Sequence, residues 1–548
     1  MLHTSPYPDL DIPNLDLPTF VFSHAKRFTV YGKDPKLVAL VDGAQSLSFA
    51  ELEAQTEAFA SGLYNKVGLR RGDILAAILP NTILYQVVAM GTHMIGGVVT
   101  TANPAYTPRE LAHQLQVTQA KVVVTVRASI PVVKEALRIG QLSIPDDRIL
   151  TIDGEGGSVR QVLSQQPFPR VFLTTKHEAD TTPSFIVFSS GTSGVPKGVV
   201  LSHKNMVANM VQFLSTDRCD KKLMEATRAK FQRRWLQVLP MFHIYGILIS
   251  NVSILSGGVN VIMEKFDFSG FCALIQEHKI DTVFLAPPVI LALTKSPEVK
   301  KYDLSSLLYL NSGAAPLSKE LQGEAELKLG AFVTQGFGMS ESSPLVARSV
   351  SGSSVLGSVG PLVPNTVAKF ADDNGIQVGV NQIGELCVKG PQIMIGYYNN
   401  EQATAKTVSS DGFLHTGDIG YIDSNGNIFI TDRKKELIKY KGFQIPPAEL
   451  EGLLTDHSAV VDAAVIPVYD EKRASEVPKA FIVVRPDAIK PNVGQEVREW
   501  MDARVVDYKK LRGGIELIEA IPKSATGKIL RRVLKDMETM RSKQAPRL

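Results

Sequence analysis

A ten-residue run of hydroxyl residues, glycines and one lysine is the segment with the clearest chemical potential. It reads Ser189-Ser190-Gly191-Thr192-Ser193-Gly194-Val195-Pro196-Lys197-Gly198, and it lies between an apolar run and a predicted strand and helix with Ser202 as N-cap. Glycines let the backbone turn until successive N–H groups point into one concavity, and hydroxyls and an ammonium group add donors and positive charge. The run therefore predicts a loop that binds a polyphosphate.

Three other interpretations of this run are weaker. A Walker A loop needs glycine where Pro196 stands and a hydroxyl residue where Gly198 stands, and a nucleophile elbow needs glycine where Val195 stands. A plain surface turn is the usual fate of serine- and glycine-rich segments. Four hydroxyl residues, three glycines and one lysine in ten positions disfavour it here.

Seven further segments follow the loop in a fixed order. They are LPMFHIYG (239–246), NSGAAPLS (311–318), QGFGMSE (335–341), GELCVKGPQIMIGYYNN (384–400), FLHTGDIG (413–420), DRKKELIKYKGFQIPPAELE (432–451) and PKSATGKILRR (522–532). With the loop, these motifs resemble the signatures of the adenylate-forming superfamily, which contains acyl-CoA ligases, firefly luciferase and peptide-synthetase adenylation domains. The resemblance covers nearly the whole chain and is strongest to the 4-coumarate–CoA ligase group, which includes fungal peroxisomal ligases for aryl and medium-chain acids.

The resemblance implies a reaction in two steps with ATP, Mg²⁺ and coenzyme A. Phe337 would stack on adenine, where the family more often has tyrosine, and Ser340 keeps the hydroxyl of the usual threonine. Glu341 would ligate Mg²⁺ on the ATP phosphates, and Asp418 would accept both ribose hydroxyls with Arg433 as its partner. The residues implied to bind ATP or coenzyme A are Ser189, Ser190, Gly191, Thr192, Ser193, Gly194, Lys197, Lys265, Gly313, Ala314, Ala315, Gln335, Gly336, Phe337, Gly338, Ser340, Asp418, Arg433, Lys441 and Gly442.

Lys528 is the residue that the resemblance assigns to catalysis. Attack of a carboxylate on the α-phosphate brings two anions together, so a cation at the reacting atoms offsets charge that grows in the transition state. Outside its motif, this lysine would be interpreted as one of 59 basic residues on a solvated face.

Lys435 resembles the family's hinge, about which the C-terminal part would rotate between the two steps. By resemblance, Lys439 and Gln444 serve adenylation, whereas Lys441 and Gly442 border the pantetheine channel. Lys265 resembles a contact to a phosphate of coenzyme A. A charged run such as KKELIKYK is ordinarily a solvated face, so these roles depend on the motif match.

The acyl pocket is expected around His243. A lone histidine in an apolar run is usually a core residue, but by resemblance this one lies at the pocket and gates access to the carboxylate. The candidate walls are Tyr245, Asn311, Gly336, Pro344 and Leu345. Asn311 stands where coumarate ligases commonly have a lysine that meets a ring hydroxyl. This difference favours an unhydroxylated aryl acid, a medium-chain acid or a specialised-metabolite acid.

The elements that must position these motifs follow an α/β pattern. Helical spacing and short apolar runs alternate up to about residue 348, which predicts largely parallel, buried sheets. Short β segments separated by Gly, Asn and Asp then predict a small β-rich subdomain. We expect an N-terminal domain over residues 1–432, a hinge at 433–435 and a smaller, mobile α+β C-terminal domain over 436–548 that contains the catalytic lysine.

Composition excludes several other classes of protein. The chain has 548 residues and a net charge of +4 without a basic block interleaved with aromatics, which argues against nucleic-acid binding. Cys219, Cys272 and Cys387 are far apart and are expected to be buried free thiols. No apolar run is long enough to predict a transmembrane segment. Pro546-Arg547-Leu548 resembles the C-terminal address that the peroxisomal import receptor binds, so a peroxisomal location is expected, with the cytoplasm as the alternative.

Two rival functions stay open at this point. Adenylation with a different acceptor (a carrier protein, an amine or O₂) would use most of the same motifs. A catalytically silent binding protein could keep the fold, although Lys528, Glu341, Asp418 and Arg433 are all present.

Overall fold

The structure is a computed structural model that describes residues 2–29, 32–154, 158–189, 196–227, 232–352, 354–441, 443–471, 473, 475–525 and 527–544. Its helices are Leu17–Phe28 (α1), Phe49–Gly62 (α2), Leu84–Met94 (α3), Pro108–Thr118 (α4), Ile130–Ile139 (α5), Ser158–Val162 (α6), Lys176–Thr181 (α7), His203–Cys219 (α8), Lys221–Thr227 (α9), Ile244–Leu255 (α10), Phe268–His278 (α11), Pro287–Lys295 (α12), Lys319–Leu329 (α13), Glu401–Thr407 (α14), Pro447–Thr455 (α15), Val493–Asp502 (α16) and Arg531–Gln544 (α17).

Its strands are His3–Thr4 (β1), Val38–Asp42 (β2), Gln45–Ser48 (β3), Ile74–Ala77 (β4), Val98–Thr101 (β5), Val122–Thr125 (β6), Ile149–Thr151 (β7), Pro183–Ser189 (β8), Lys197–Ser202 (β9), Arg234–Gln237 (β10), Val259–Ile262 (β11), Thr282–Leu285 (β12), Tyr309–Ser312 (β13), Phe332–Gly338 (β14), Leu345–Arg348 (β15), Val367–Ala371 (β16), Gly384–Lys389 (β17), Gly396–Tyr397 (β18), Leu414–Ile422 (β19), Ile428–Arg433 (β20), Ile438–Tyr440 (β21), Phe443–Ile445 (β22), Val460–Asp470 (β23), Ser475–Val484 (β24) and Ile515–Leu517 (β25).

Two large sheets form the N-terminal part of the molecule. One has the strand order β18-β9-β8-β5-β4-β6-β7 and the other the order β15-β14-β13-β12-β10-β11-β2-β3. Their central strands are parallel, and strands such as β4, β5 and β12 are buried along their whole length. Strands buried on both faces consist of consecutive apolar residues, which is why the sequence pattern identified them.

The carboxyl ends of these parallel strands present the motifs. Ser189 ends β8, Ala286 follows β12, Gly313 follows β13, and Gly338 ends β14. Ligands in open α/β sheets bind beyond the carboxyl ends of the strands. The sheets therefore place the residues predicted to contact phosphate, adenine and the acid at their carboxyl edges.

A third, antiparallel sheet of five strands follows in the order β1-β16-β17-β19-β20. It is the β-rich subdomain that the Gly, Asn and Asp spacing predicted. Asp418 on β19 and Arg433 on β20 are direct partners across this sheet. The register of two neighbouring strands therefore places the expected ribose carboxylate beside its cation.

Residues after 433 fold around a core of their own. The hairpin of β21 and β22 packs with the sheet β23-β24-β25 and with α15 and α16, burying side chains such as Ile438, Leu450, Val465, Ile482 and Val497. The chain therefore has a large α/β part and a smaller α+β part, as predicted. The exact boundaries at 432 and 435 stay predictions.

Several local predictions from the sequence can be compared directly with the structure. The Ser202 side chain accepts a hydrogen bond from the Asn205 backbone N–H and caps α8, as predicted. Cys272 and Cys387 are buried, but Cys219 is exposed, so the expectation of a buried thiol is wrong there because Cys219 is the last residue of α8. No helix within the described ranges is long and apolar enough to cross a membrane.

We expect the stability of the N-terminal part to fall below about pH 6.5 because two histidines are buried in neutral form. His203 Nδ1 accepts the Leu17 N–H at 3.0 Å, and the His93 ring contacts His203 with 5.3 Å between ring centroids. Burial lowers the pKa of both histidines to about 3. The unfolded chain binds protons near pH 6.5, so the free energy of unfolding decreases from there towards pH 3, by up to about 1.4 kcal/mol per pH unit for each histidine.

Urea unfolding of wild type and His93→Gln at pH 7.5 and 5.5 measures this effect. Glutamine cannot bind the proton, but its amide can replace the ring nitrogen that lies 2.9 Å from the Ser184 carbonyl. The variant is expected to lose less stability than wild type between the two pH values. Equal losses would show that His93 does not supply the pH dependence.

Candidate active site

A carboxylate, two hydroxyls and a lysine meet where β8, β9 and β18 come together. Ser189 and Lys197 are partners across the β8–β9 pair, and Glu341 accepts hydrogen bonds from the Ser189 hydroxyl at 3.1 Å and the Tyr397 hydroxyl at 2.9 Å. Lys197 Nζ lies 5.0 Å from the centroid of the Tyr397 ring. Ser190, Gly191, Thr192, Ser193 and Gly194 lie outside the described residues. The parts of the predicted phosphate loop that are described therefore adjoin Glu341.

Glu341 is the candidate magnesium ligand, and its surroundings suit a metal that arrives with phosphates. It is 5% exposed, and its two described partners are both neutral hydroxyl donors. No group of three or more His, Cys, Asp or Glu residues that could hold a metal occurs among the described residues. Mg²⁺ is commonly held by one or two carboxylates together with substrate phosphates. A single carboxylate beside a phosphate loop fits that pattern.

A narrow slot lies between the loop after β13 and the end of β14. A Cβ added to Gly313 would lie 3.0 Å from the Tyr245 ring, and one added to Gly338 would lie 2.0 Å from the Pro344 carbonyl oxygen. Ala314 has a φ of +69°. Only very small side chains fit such backbone approaches. The slot thus has the form that the sequence predicted for an adenine site, with Ala315 and Phe337 partly exposed beside it.

Gln335 supports this slot through buried hydrogen bonds to neighbouring residues and does not line the slot itself. Its side chain is 3% exposed, accepts the Leu317 N–H at 3.3 Å and donates to Gln322 Oε1 at 2.9 Å. It therefore fixes the loop that contains Gly313. Ser340 lies one residue before Glu341 and is partly exposed.

The sheet edge and the C-terminal part meet at Asp418. Arg433 Nε is 3.4 Å from Asp418 Oδ1, and Asp418 is 5% exposed. Burial raises the pKa of Asp418 to about 6, although Arg433 and Lys528 act in the opposite direction. The carboxylate is therefore ionised at neutral pH and has a second oxygen with which to bind a ligand.

Lys528 reaches this point on a turn between Ser524 and Ile529. Gly527 has a φ of +81°, and a Cβ there would lie 2.9 Å from Ala286 at the start of α12. Burial lowers the pKa of Lys528 to about 8, with a further contribution from Arg433. The turn is thus closely packed against the N-terminal part, and its ammonium group is mostly protonated at neutral pH.

His243 lines a cavity in the N-terminal part of the molecule. The Nδ1 atom of His243 accepts the Tyr245 N–H at 3.3 Å and caps α10, so the proton of the neutral ring resides on Nε2. Burial, followed by the charge of Lys528, lowers the pKa of His243 to about 4. The histidine is therefore neutral where it lines the cavity, within range of the charge of Lys528.

The cavity contains the predicted pocket residues and several that the sequence did not identify. Tyr245, Asn311, Gly336, Pro344 and Leu345 all line this one cavity, and their contact with an acid stays a prediction. The additional lining residues are Phe213, Ile244, Leu248, Phe284, Met339 and Arg348. Phe213 and Phe284 lie in segments that contain no motif. The sequence indicated only that they are apolar residues of buried elements. Tyr397 was also missed, although the motif GYYNN contains it.

The remaining predicted residues lie away from the cavity. Lys265, Lys439 and Lys441 are exposed, and Gly442 lies outside the described residues. Gln444 Nε2 donates to Asp373 Oδ2 at 3.0 Å and so joins β22 to the N-terminal part. Burial lowers the pKa of Lys435, which lies between Arg433 and Glu436. This arrangement brings Lys528 to the site but does not bring Lys439, Gln444 or Lys441 there.

Comparison with known proteins agrees with this geometry. The AMP-binding enzyme family matches residues 29–398. The chain belongs to that family. The AMP-binding enzyme C-terminal domain matches residues 449–528.

Relatives in this family are similar along the whole chain. Probable 4-coumarate–CoA ligase 2 of Dictyostelium discoideum is 38% identical over 97% of each chain, and 4-coumarate–CoA ligase 3 of Arabidopsis thaliana is 38% identical over 97% of this chain and 93% of the plant protein. The ATP-bound structure of MatB from Rhodopseudomonas palustris has a TM-score of 0.80 at 27% identity, covering 94% of this chain and 98% of MatB. The protein is an ATP-dependent, AMP-forming acid–CoA ligase of this family.

We expect Tyr397→Phe to weaken the use of MgATP because the Tyr397 hydroxyl holds Glu341. Loss of this 2.9 Å hydrogen bond leaves Ser189 as the one described donor to that carboxylate. The KM for ATP at limiting Mg²⁺ should rise about three- to tenfold, which corresponds to a hydrogen bond to a charged group. Tyr398→Phe is the matched control, since Tyr398 adjoins Tyr397 but packs in another core cluster. Equal effects of the two substitutions would contradict the role of Tyr397.

Proposed function

We propose that this ligase converts an aryl or medium-chain carboxylic acid of specialised metabolism into its coenzyme A thioester through an enzyme-bound acyl-adenylate. The observation that supports this most strongly is the position of Lys528. Its charge acts both on His243, which lines the proposed acyl cavity, and on Asp418, the candidate ribose ligand. One ammonium group thus adjoins the acid site and the nucleotide site, where the two substrates must react.

In the first step, an oxygen of the acid attacks the α-phosphorus of ATP and the bond to pyrophosphate breaks. Lys528 offsets the negative charge that accumulates on the reacting oxygens. Asp418 accepts the ribose hydroxyls, the slot at Gly313 and Phe337 holds adenine, and Lys197, Ser189 and Ser340 bind phosphate oxygens. Glu341 would hold Mg²⁺, which neutralises the pyrophosphate leaving group when bound.

In the second step, the thiol of coenzyme A attacks the acyl carbonyl carbon and AMP leaves. We assign residues 433–435 as the hinge about which the C-terminal part rotates, withdrawing Lys528 and bringing Lys441 and Gly442 to the site. In the present arrangement Lys528 is inside and Gln444 binds Asp373. This arrangement fits the first step. In this proposal Lys265 contacts a coenzyme A phosphate, and Lys439 and Gln444 stabilise the adenylation arrangement.

Assays of the two half-reactions test this function. Purified full-length chain should release pyrophosphate with at least one acid from an aryl and medium-chain panel, and should form a thioester only when coenzyme A is present. Pyrophosphate release without a thioester would indicate a different acceptor. Absence of pyrophosphate with every acid would indicate a silent homologue.

Lys528→Ala is expected to slow adenylation by at least about a hundredfold, because a cation at the reacting oxygens is lost. Conversion of a supplied acyl-adenylate with coenzyme A should fall much less. Lys523→Ala is the matched control in the same turn, since Lys523 Nζ binds Asp462 at 2.5 Å within the C-terminal part. Equal loss of both half-reactions in Lys528→Ala would contradict the proposal that the C-terminal part adopts a different arrangement for each step.

The pH dependence of the reaction gives a second test of the role of Lys528. Burial, before the charge of Arg433, holds the pKa of Lys528 at about 8, so kcat/KM of wild type for ATP should decline above that pH. This decline should disappear in Lys528→Ala.

The location of the enzyme is a separate part of the proposal. Pro546-Arg547-Leu548 lie outside the described residues, and they support recognition by the peroxisomal import receptor through their resemblance to its address. A fluorescent protein fused ahead of this chain should enter peroxisomes, and removal of the three residues should leave it in the cytosol. Unchanged peroxisomal fluorescence after removal would contradict the address.

A further inference from the structure

A tight turn in the connection between β16 and β17 presents a carboxylate to the C-terminal part. Asp372 Oδ1 accepts the N–H groups of Asn374 and Ile376 at 2.9 and 2.8 Å, and the Asp372 N–H donates to the Ile376 carbonyl at 2.8 Å. Gly375 completes the turn with a φ of +77°. The Asp372 side chain is thus used within the turn, whereas the side chain of Asp373 makes its contacts outside it.

Each oxygen of Asp373 has a different partner. Oδ1 lies 3.4 Å from Lys434 Nζ, and Oδ2 accepts a hydrogen bond from Gln444 Nε2 at 3.0 Å. Lys434 is itself fixed to the β-rich subdomain, since its N–H donates to the Gly417 carbonyl at 2.8 Å and its Nζ lies 3.3 Å from Glu385 Oε2. Lys434 therefore orients Asp373 from the N-terminal side, and Gln444 contacts it from the C-terminal part.

Gln444 is firmly connected to the rest of the C-terminal part. It pairs with Lys439 in the hairpin of β21 and β22. The Lys439 N–H donates to Glu476 Oε2 at 2.7 Å, and the Lys439 carbonyl accepts the Ser475 hydroxyl at 3.0 Å. Both partners lie on β24, the central strand of the three-stranded sheet of that part. The hydrogen bond at Gln444 therefore holds the C-terminal part and not only its hairpin.

The hydrogen bond between Gln444 and Asp373 occurs in the arrangement that brings Lys528 to the site. In the proposed second step Lys441 approaches the site instead, and Lys441 lies in the turn of the same hairpin. The hairpin then changes its position, and Gln444 separates from Asp373. An interaction that exists in one of two arrangements shifts the equilibrium towards that arrangement.

We propose that Asp373 is a positioning residue for adenylation, which favours the arrangement with Lys528 at the site by accepting the hydrogen bond of Gln444 across the hinge. This inference rests on the proposed ligase function and on the proposed rotation. The Asp373 side chain is 63% exposed, and an exposed contact of this kind changes an equilibrium by about two- to fivefold. A weak contact suits this role, because it must break once in every catalytic cycle.

The two half-reactions of the full-length enzyme test the proposal, with an acid that supports pyrophosphate release and with the acyl-adenylate of that acid. Asp373→Ala should slow adenylation about two- to fivefold, because Lys528 occupies the site less often, and should leave the reaction of the acyl-adenylate with coenzyme A unchanged or faster. Asn374→Ala is the matched control in the same turn, since it keeps the backbone N–H that Asp372 accepts, and it should change neither rate. Equal slowing of both half-reactions, or no slowing of adenylation, would overturn the proposal.

A double-mutant cycle separates this role of Gln444 from direct contact with a substrate. Gln444→Ala should slow adenylation about as much as Asp373→Ala. The double variant should be no slower than the slower single variant, because both changes remove the same hydrogen bond. Multiplied effects of the two changes would contradict the proposal.

Limited proteolysis with trypsin gives a measurement that does not require an acid. Trypsin cleaves after lysine and arginine, and residues 433–435 are Arg-Lys-Lys. Cleavage there should be about two- to fivefold faster in Gln444→Ala, which keeps Lys434 and its partners, than in wild type. Unchanged cleavage in this variant would also overturn the proposal. Failure of every acid to release pyrophosphate would instead refute the ligase function, while the cleavage rates still test the contact.

Discussion

The placement of one ammonium group between two parts of the molecule is the constraint on which the rest of the structure depends. Lys528 is mostly buried near Arg433 and Lys435, which repel it, and near Asp418 and Glu436, which attract it. Burial and repulsion make this position unfavourable for a cation in the absence of a ligand, as the lowered pKa of Lys528 shows. Packing of Gly527 against Ala286 therefore holds the lysine in place. Such preorganised positive charge becomes favourable when negative charge develops beside it.

The proposed movement of this lysine requires a rigid connection between its turn and the proposed hinge, and Arg531 supplies one. Its Nη2 binds Glu451 through two 2.7 Å hydrogen bonds, and its Nη1 binds Glu436 at 2.6 Å. Glu436 directly follows Lys435, and Arg531 lies three residues after Lys528. A buried ion network of this kind contributes more to a defined geometry than to stability, because desolvation offsets much of the attraction. The lysine turn and Glu436, which follows the proposed hinge, are therefore joined through one side chain.

Sequence reasoning succeeded where the chemistry lies in the backbone or in one continuous motif. Runs such as Thr282–Leu285 became buried parallel strands, and Gly313, Gly338 and Gly527 lie where the chain approaches itself too closely for a side chain. It failed where a site is assembled from distant segments. Phe213 on α8, Phe284 on β12 and Arg348 on β15 share one cavity, and no spacing along the chain reveals this. The exposure of Cys219 at the end of α8 likewise depends on where the helix ends.

This division separates the proposed reaction chemistry from the choice of acid in physical terms. The nucleotide slot consists of backbone and very small residues on loops that follow sheet strands, so a substitution there introduces a collision. The cavity proposed for the acid is lined by long side chains from α8, α10, β12, β13 and β15, which project from elements fixed by other contacts. Asn311 and Arg348 can therefore differ between related chains without displacing Asp418, Lys528 or the strands that position them. In the proposed function, selectivity for the acid is free to change because the elements assigned to ATP do not depend on these cavity side chains.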